Sequence, residues 1–380
     1  MDYNIISGDG HIDLAWLPHD LFVSNAPEEY KSRMPMVAET EEGPRWMVEG
    51  VDVGKLPGGA LASLQPPPRG KSPQIDRMNE AGFYDGRPHP ATPELRLADL
   101  RMDGIDADVI YGILGMGSVM PNRESLLWVY RIYNDWLVDF CSTYPGRFVG
   151  LACIPNDSPE NAAEELRRAA AMGLKGADFG VSNLPNPIWH RDWDPLWEAS
   201  AECNVPLSFH TVGLRLDGIP TDENMAKEYN LAYTATRITL FQLAGAEYLT
   251  SLIFSQVLER HPQFRVVLGE CGVSWIPYVL QRADEESEDQ MQAVGLDMKP
   301  SEFWHRQGFT TFQQESTAAD FVHLVGEDNV IWGSDYPHHD GVWPDSQKVI
   351  EHDLGSLEEK VRRKLTRDNT GKLYLSLIHI

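Results

Sequence analysis

Acidic and histidine side chains stand at the ends of several short apolar runs in this 380-residue sequence. Asp9 and His11 follow the first run, and His210, Glu270 and Asp335 close the later runs VPLSFH, RVVLGE and NVIWGSD. Ionisable groups at the end of a buried strand carry a large desolvation cost unless they are paired or bind a metal. Carboxylates and imidazoles together suit Zn(II), Mn(II) or Fe(II), so the pattern predicts a centre for one or two metal ions.

A metal held by these ligands would lower the pKa of a bound water towards about 7. Asp335 could then take the proton from that water, and Glu270 could act as a second acid or base or ligate a second metal. Asp178 closes the run GLKGADF and is a candidate bridging ligand if two metals bind. Lys175 lies in the same run, but strand alternation separates it from Asp178, so we interpret Lys175 as structural.

Further candidates lie in the segments that follow these runs. His338 and His339 come shortly after Asp335, which predicts a catalytic role for His338 and a substrate contact for His339. Arg215 follows His210 and could pair with a substrate carboxylate, although the sequence favours a solvated arginine. Trp16 could line an aromatic substrate pocket or pack in the core, and the sequence does not separate these alternatives.

The elements that must position these residues are short β-rich runs separated by longer helical patterns. Near-continuous apolar runs suit strands buried on both faces, hence a parallel sheet. Eight such units predict an α/β fold, a distorted (β/α)8 barrel whose active site lies at the carboxyl ends of the strands. The runs are Asn4–Gly8, Ala107–Leu114, Phe148–Ile154, Leu174–Phe179, Pro206–His210, Arg265–Glu270, Phe309–Phe312 and Asn329–Ser334.

One long insertion interrupts this alternation. Residues 34–93 follow the first strand and are rich in Pro and Gly, so we predict a lid or specificity insertion within a single domain over 1–374. A solvated, weakly ordered excursion is the alternative. The last residues, 375–380, read LSLIHI and resemble translated adapter sequence, so we assign them no function.

Composition excludes several classes of protein. Hydrophobic residues make up 42% of the chain and no apolar stretch is long enough to span a membrane, so disordered and membrane proteins are excluded. The net charge of −25 disfavours nucleic acid and anionic lipid as partners. The four cysteines form no CxxC pair and the start shows no signal peptide, which predicts a cytoplasmic protein.

Several longer segments carry a family resemblance. The chain resembles the amidohydrolase-related group of the amidohydrolase superfamily, which includes aminocarboxymuconate-semialdehyde, resorcylate and carboxyvanillate decarboxylases. The segments are SGDGH (7–11), RLADLRMDGIDADVIY (96–111), YNDWLVDFCSTYPGRFVGLACIP (133–155), DPLWEASAECNVPLSFH (194–210), HPQFRVVLGECGVSWIPYVLQRAD (261–284) and NVIWGSDYPHHDGVWPDS (329–346).

This resemblance implies specific roles for four residues and a homodimer. Asp9 and His11 match the ligand pair of the first strand, His210 the ligand of the fifth and Asp335 the aspartate of the eighth. The chain departs from the pattern in two places, because Asp9 stands where well-known members have His or Glu, and Glu270 where aminocarboxymuconate-semialdehyde decarboxylase has an acid/base histidine.

Four functions follow from these observations. We expect a hydrolase of small amides, esters or lactones, because the ligand set can activate water and Glu270 replaces the histidine. The alternative is non-oxidative decarboxylation of a small aromatic or unsaturated acid, based on the resemblance. Further alternatives are a dinuclear iron or manganese enzyme that uses oxygen, and a non-catalytic barrel that pairs with an active paralogue.

Overall fold

A parallel barrel forms the centre of the protein. The structure is a computed structural model, and the residues that it describes are 3–55, 87–120, 122–181, 183–210, 232, 235–236, 239–338 and 340–375. In chain order the strands are β1 Ile6–His11, β2 Met36–Thr40, β3 Gly43–Val48, β4 Val51–Asp52, β5 Ala107–Tyr111, β6 Phe148–Ile154, β7 Gly176–Phe179, β8 Leu207–His210, β9 Val266–Gly269, β10 Gly308–Phe312 and β11 Val330–Trp332.

The eight strands predicted from the apolar runs are the strands of this barrel. They are hydrogen-bonded in the order β1, β5, β6, β7, β8, β9, β10 and β11. Every neighbouring pair is parallel. Parallel strands place their carboxyl ends at one edge, so the polar residues that close the predicted runs meet at that edge.

The barrel closes between β1 and the segment that follows β11. The Asp335 N–H donates to the Asp9 carbonyl at 2.9 Å, and the His11 N–H donates to the Tyr336 carbonyl at 2.6 Å. The two backbones approach so closely at Gly333 that a Cβ there would lie 2.4 Å from the Asp9 Cβ. Glycine is therefore required at this position, and the closure brings Asp9, His11 and Asp335 together.

Helices surround the barrel and bury their apolar faces against it. The helix Pro159–Met172 shows how local sequence sets the ends: the Ser158 hydroxyl accepts from the Asn161 N–H, and Gly173 adopts φ +111°. No helix of the described residues is both long and apolar enough to cross a membrane. The helices span Leu21–Asn25, Pro93–Met102, Met116–Val119, Arg123–Ser142, Pro159–Met172, Asp194–Cys203, Ala244–Phe254, Val257–Arg260, Ile276–Glu288, Pro300–Gln307, Ala318–Val325, Ser346–Leu354, Glu359–Arg363 and Asn369–Tyr374.

Part of the predicted insertion 34–93 has regular structure. β2, β3 and β4 form an antiparallel sheet in which β3 is central. Trp46 and Val48 of β3 belong to the hydrophobic core cluster and are only 1% and 2% exposed. This sheet therefore packs on the barrel core, and residues 56–86 lie outside the described part of the chain. The role of the insertion as a lid stays a prediction.

Candidate metal centre

The first strand positions Asp9 and His11 through buried contacts on both sides. The Asp9 Oδ2 atom accepts a hydrogen bond from the Thr311 hydroxyl at 2.6 Å. The His11 carbonyl accepts one from Arg96 Nη1 at 2.9 Å, and Arg96 also forms a fully buried ion pair with Asp108. These contacts fix the backbone of the strand end, so both side chains have a defined direction into the barrel mouth.

Four side chains from β1, β8 and the segment after β11 converge on one point. His11 Nε2 lies 3.3 Å from Asp9 Oδ1 and 3.1 Å from Asp335 Oδ1. His210 Nε2 lies 3.5 Å from the same Asp9 oxygen. Potential ligand atoms of Asp9, His11 and His210 lie within 4.8 Å of one another, as do those of His11, Asp335 and His338. The sequence prediction that these residues meet agrees with this geometry.

The buried polar atoms of this cluster fit a divalent cation. Asp9 Oδ1, His11 Nε2 and both carboxylate oxygens of Asp335 make no hydrogen bond of normal geometry within the described chain. Such atoms carry an uncompensated desolvation cost. A cation among them would satisfy two carboxylates and the imidazoles at once, and mixed oxygen and nitrogen ligands suit Mn(II), Fe(II) and Zn(II).

Opposite charges set the protonation of the cluster. Burial alone would raise the pKa of Asp9, but the His210 charge and the close approach of the His11 and His210 ring nitrogens lower it to about 2. Burial and His338 act to lower the pKa of His11, whereas Asp335 and Asp9 raise it to about 10. Without a bound cation the carboxylates are therefore ionised and hold protons on the imidazoles. A divalent cation could replace those protons as the source of positive charge.

Glu270 lies next to this cluster, and its pKa is raised whereas that of Asp9 is lowered. Burial, followed by repulsion from Asp335, raises the pKa of Glu270 to about 7. Its Oε1 atom accepts from Gln313 Nε2 at 2.8 Å, and its Oε2 atom lies 3.8 Å from His210 Nδ1. Both Glu270 and Asp335 adopt φ +56°, a left-handed conformation that is unusual for these residues.

His338 connects the cluster to a further carboxylate that the sequence analysis did not identify. Its Nδ1 atom lies 3.1 Å from Asp335 Oδ1, and its Nε2 atom lies 3.0 Å from Asp13 Oδ2. Burial acts to lower the pKa of His338, but Asp335 and Asp13 raise it well above its usual value. The two carboxylates therefore fix the ring orientation of His338.

A cavity of about 360 Å³ opens beside these groups. This size suits a small organic molecule. Within the described chain no lysine or arginine lines it, and its acidic side chains would repel an anionic substrate. The lining residues are His11, Asp13, Gly112, Leu114, Gly115, Gly117, Ser118, Tyr130, Ile154, Asn156, Asp178, Gly180, His210, Phe241, Glu270, His338 and Asp340.

The remaining predicted site residues have varied positions. Asp178 faces the cavity, and burial raises its pKa to about 7, but it is not in the groups of close ligand atoms. Its bridging role stays a prediction. Lys175 is exposed, as alternation predicts, and Trp16 is half-buried against the hydrophobic core rather than along the cavity. Arg215 and His339, both predicted substrate contacts, lie outside the described residues.

Sequence reasoning missed Asp13, Thr311 and Asp340. Asp13 lies two residues after His11. If the alternation of a strand continues past His11, the Asp13 side chain points to the same side as Asp9 and His11. Asp340 has a potential ligand atom near those of Glu270 and Asp335, but it lies in a loop whose course no periodicity reveals. Threonine is common in β-strands, so the sequence gives no sign that the Thr311 hydroxyl contacts the site.

Known proteins resemble this chain in sequence and in structure. A gamma-resorcylate decarboxylase from Rhodococcus jostii (strain RHA1) is 25% identical over 274 residues, which cover 67% of this chain and 79% of that protein. The crystal structure of an amidohydrolase from Mycobacterium avium subsp. paratuberculosis has a TM-score of 0.78 at 19% identity and covers 98% of this chain and 99% of its own.

A third relative is a dihydroxybenzoic acid decarboxylase from Polaromonas sp. JS666, solved with bound manganese and the inhibitor 2-nitroresorcinol. Its TM-score is 0.62 at 21% identity, and the match covers 80% of this chain and 93% of that one. At these identities the likeness to the solved structures shows the shared barrel fold.

These comparisons correct the expected activity. The expectation of a hydrolase is wrong, because the sequence relative is a decarboxylase, and this supports the alternative instead. A metal, a nearby carboxylate and a histidine can either activate water or position a carboxylic acid, so the ligand set alone does not distinguish the two reactions.

The resemblance to the amidohydrolase-related group is confirmed. The sequence profile described as amidohydrolase matches residues 53–375, from the insertion to the end of the last helix. That match covers most of the chain and every barrel strand except the first, and the first strand closes the same barrel. The chain therefore belongs to the amidohydrolase family.

Proposed function

We propose that this protein is a metal-dependent decarboxylase that acts without an oxidant on a small aromatic or unsaturated carboxylic acid. One observation carries the proposal: a buried group of unsatisfied carboxylate and imidazole atoms lies at the wall of a cavity of about 360 Å³. The relationship to a gamma-resorcylate decarboxylase supports the choice of reaction.

We assign Asp9, His11, His210 and Asp335 as the ligands of one divalent cation. Their potential ligand atoms come from the first, fifth and eighth barrel strands and lie within 3.5 Å of at least one other member. Mn(II) is the ion we expect, because a structural relative binds manganese. Zn(II) and Fe(II) suit the same ligands.

Charge explains why the reaction needs this centre. A divalent cation held by Asp9, His11, His210 and Asp335 would supply positive charge for a substrate carboxylate. The described cavity wall offers acidic side chains, among them Asp13, Asp178 and Asp340, and no lysine or arginine. An anionic substrate would be repelled by that wall alone. The acidic wall therefore disfavours every other position in the cavity for a substrate carboxylate and leaves the cation site at Asp9, His11, His210 and Asp335 as its binding point.

Decarboxylation replaces the carboxylate by a proton, so that R–COO⁻ and H⁺ give R–H and CO₂. The bond between the substrate carbon and its carboxyl carbon breaks, and its electron pair stays on the substrate carbon, which takes the proton. We assign Glu270 as the proton donor. Its carboxyl group lines the cavity, and in the metal-free protein burial and the Asp335 charge raise its pKa to about 7.

The experiment is to load the purified protein with Mn(II) and incubate it with a panel of hydroxybenzoic, aminobenzoic and unsaturated carboxylic acids. We expect CO₂ release from at least one acid. In D₂O the product should carry one deuterium at the carbon that lost the carboxylate, because the proton comes from a group that exchanges with solvent.

Two comparisons make this test decisive. The metal-free protein should release no CO₂ and should recover activity when Mn(II) is restored. A matched panel of the corresponding amides, esters and lactones should stay intact. Hydrolysis of that panel without CO₂ release from any acid would overturn the proposal.

A further inference from the structure

Thr311 lies near the carboxyl end of a barrel strand and contacts two parts of the site. It belongs to β10 and is fully buried. Its hydroxyl oxygen lies 2.6 Å from Asp9 Oδ2 and 2.6 Å from the Glu270 backbone nitrogen. A single hydroxyl thus connects a candidate metal ligand to the candidate proton donor.

The chemistry of these groups fixes the direction of both hydrogen bonds. A backbone N–H can only donate, so the Thr311 oxygen accepts from Glu270. The hydroxyl has one proton, and that proton points to Asp9 Oδ2, where an ionised carboxylate accepts it. The order is therefore Glu270 N–H to Thr311 O–H to Asp9 Oδ2.

This order gives the two oxygens of Asp9 different tasks. Oδ2 is occupied by the Thr311 hydroxyl. Oδ1 points towards His11 Nε2 and His210 Nε2, at 3.3 and 3.5 Å, and makes no normal hydrogen bond within the described chain. The Thr311 hydroxyl thereby selects the oxygen that Asp9 presents to a cation.

The same residue holds the turn after β9. Glu270 adopts φ +56°, which side chains disfavour, so this turn needs contacts that hold it in place. Thr311 supplies two, because its oxygen accepts the Glu270 N–H and its carbonyl accepts the Gly272 N–H at 3.1 Å. The backbone that carries the Glu270 carboxyl group is thus attached to β10 at Thr311.

We propose that Thr311 is a positioning residue that makes Asp9 a one-oxygen ligand and holds Glu270 over the cavity. The proposal rests on the metal centre assigned under the proposed function. Thr311 itself contacts neither the cation nor the substrate, and it acts through Asp9 and Glu270. Residues that hydrogen-bond to a metal ligand orient that ligand, and their removal typically weakens metal binding.

The test compares Thr311→Val, which keeps the shape and removes the hydroxyl, with Thr311→Ser, which keeps the hydroxyl. Mn(II) affinity is measured by electron paramagnetic resonance titration of the metal-free proteins. We expect Thr311→Val to bind Mn(II) about 10- to 100-fold more weakly than the unchanged protein. Thr311→Ser should stay within about threefold, since the hydroxyl that Asp9 needs is retained.

A double-variant cycle separates positioning from a general loss of structure. If Thr311 acts through Asp9, adding Thr311→Val to Asp9→Asn should weaken Mn(II) binding no further than Asp9→Asn alone. Equal Mn(II) affinity of Thr311→Val and the unchanged protein would overturn the proposal. So would fully additive losses in the double variant, or a Thr311→Ser protein as weak as the Val variant.

These outcomes differ from failure of the proposed function. A protein that binds Mn(II) but decarboxylates no acid would overturn the proposed reaction, whereas the Thr311 comparison would still hold. If Thr311→Val does not fold, Thr311→Ala and its cycle with Asp9→Asn decide the question, because alanine also removes the hydroxyl that contacts Asp9 and Glu270.

Discussion

The imidazole ring of His338 stacks on that of His11, with centroids 4.0 Å apart and planes tilted by 20°. The pKa values of both rings are raised by nearby carboxylates, so in the metal-free protein two adjacent rings carry protons near neutral pH. Two like charges at this distance repel each other. A cation that takes the Nε2 atom of His11 requires that ring to be neutral and relieves the repulsion.

Metal binding should therefore strengthen as the pH rises. His11 has a pKa of about 10 without metal, above its ordinary value, so at any lower pH Mn(II) must displace a proton from it. Each displaced proton weakens apparent affinity by about tenfold for each unit that the pH falls. The measurement is the Mn(II) dissociation constant between pH 6 and pH 8.5, and an affinity that does not change over this range would contradict the assignment of His11 as a ligand.

Glu270→Gln should slow catalysis while metal binding persists. Glutamine keeps the shape and the contact with Gln313 but cannot deliver the acidic proton that we assign to Glu270. We expect kcat to fall by about 10²- to 10⁴-fold, the usual effect of losing a general acid. Steady-state kinetics and metal analysis test this together, with the exposed Glu351→Gln as matched control.

A loss of metal together with activity in Glu270→Gln would show that Glu270 is a ligand rather than the proton donor. Unchanged kcat would remove it from the reaction.

Asp13→Asn should affect the reaction through His338. The Asp13 carboxylate accepts from His338 Nε2 at 3.0 Å and helps to raise the pKa of that ring. An amide removes the charge, so the pKa of His338 should fall and its orientation should loosen. We expect a loss of about 10- to 100-fold in kcat/KM with Mn(II) still bound. The pH profile of kcat/KM checks the pKa change, and an unaltered profile would contradict it.

Arg96→Ala should destabilise the whole protein. Arg96 and Asp108 are both fully buried, and Arg96 also donates to the His11 carbonyl. Removing one partner leaves an uncompensated buried charge, which typically lowers the free energy of unfolding by about 3–5 kcal/mol. Urea unfolding of the metal-free protein measures this change.

The control for this prediction is Arg167→Ala. Arg167 pairs with Glu202 on the surface, where both side chains are about half exposed to water. Such a pair contributes only about 0–1 kcal/mol. An equal effect of the two substitutions would show that the buried pair contributes nothing beyond a surface pair.

Much of the fold follows from the sequence for a simple reason. Strands covered on both faces need continuous apolar runs, and a run such as ADVIYGIL matches the observed strand Ala107–Tyr111 within a few residues. The same logic located Asp9, His210 and Glu270, because a polar residue that closes such a run must lie at the barrel mouth. The helix cap at Ser158 depends on a contact with Asn161, so it is local enough to be recognised in sequence.

What the sequence did not reveal depends on contacts between distant elements. Thr311 and Asp9 are 302 residues apart in the chain, and no local pattern indicates that the threonine hydroxyl reaches the carboxylate. Asp13 was overlooked because it follows the end of the first strand. The packed sheet of β2, β3 and β4 was also not predicted, because the Pro- and Gly-rich residues 34–93 indicated only a lid or specificity insertion without assigned strands.

The closure of the barrel between β1 and the segment after β11 also has a consequence for biosynthesis. Asp9 belongs to one end of the folded chain and Asp335 to the other, and the Asp335 N–H donates to the Asp9 carbonyl. A nascent polypeptide still attached to the ribosome before Asp335 emerges has only part of the proposed ligand set. With this assignment, we expect tight capture of the ion only after nearly all of the barrel has been synthesised.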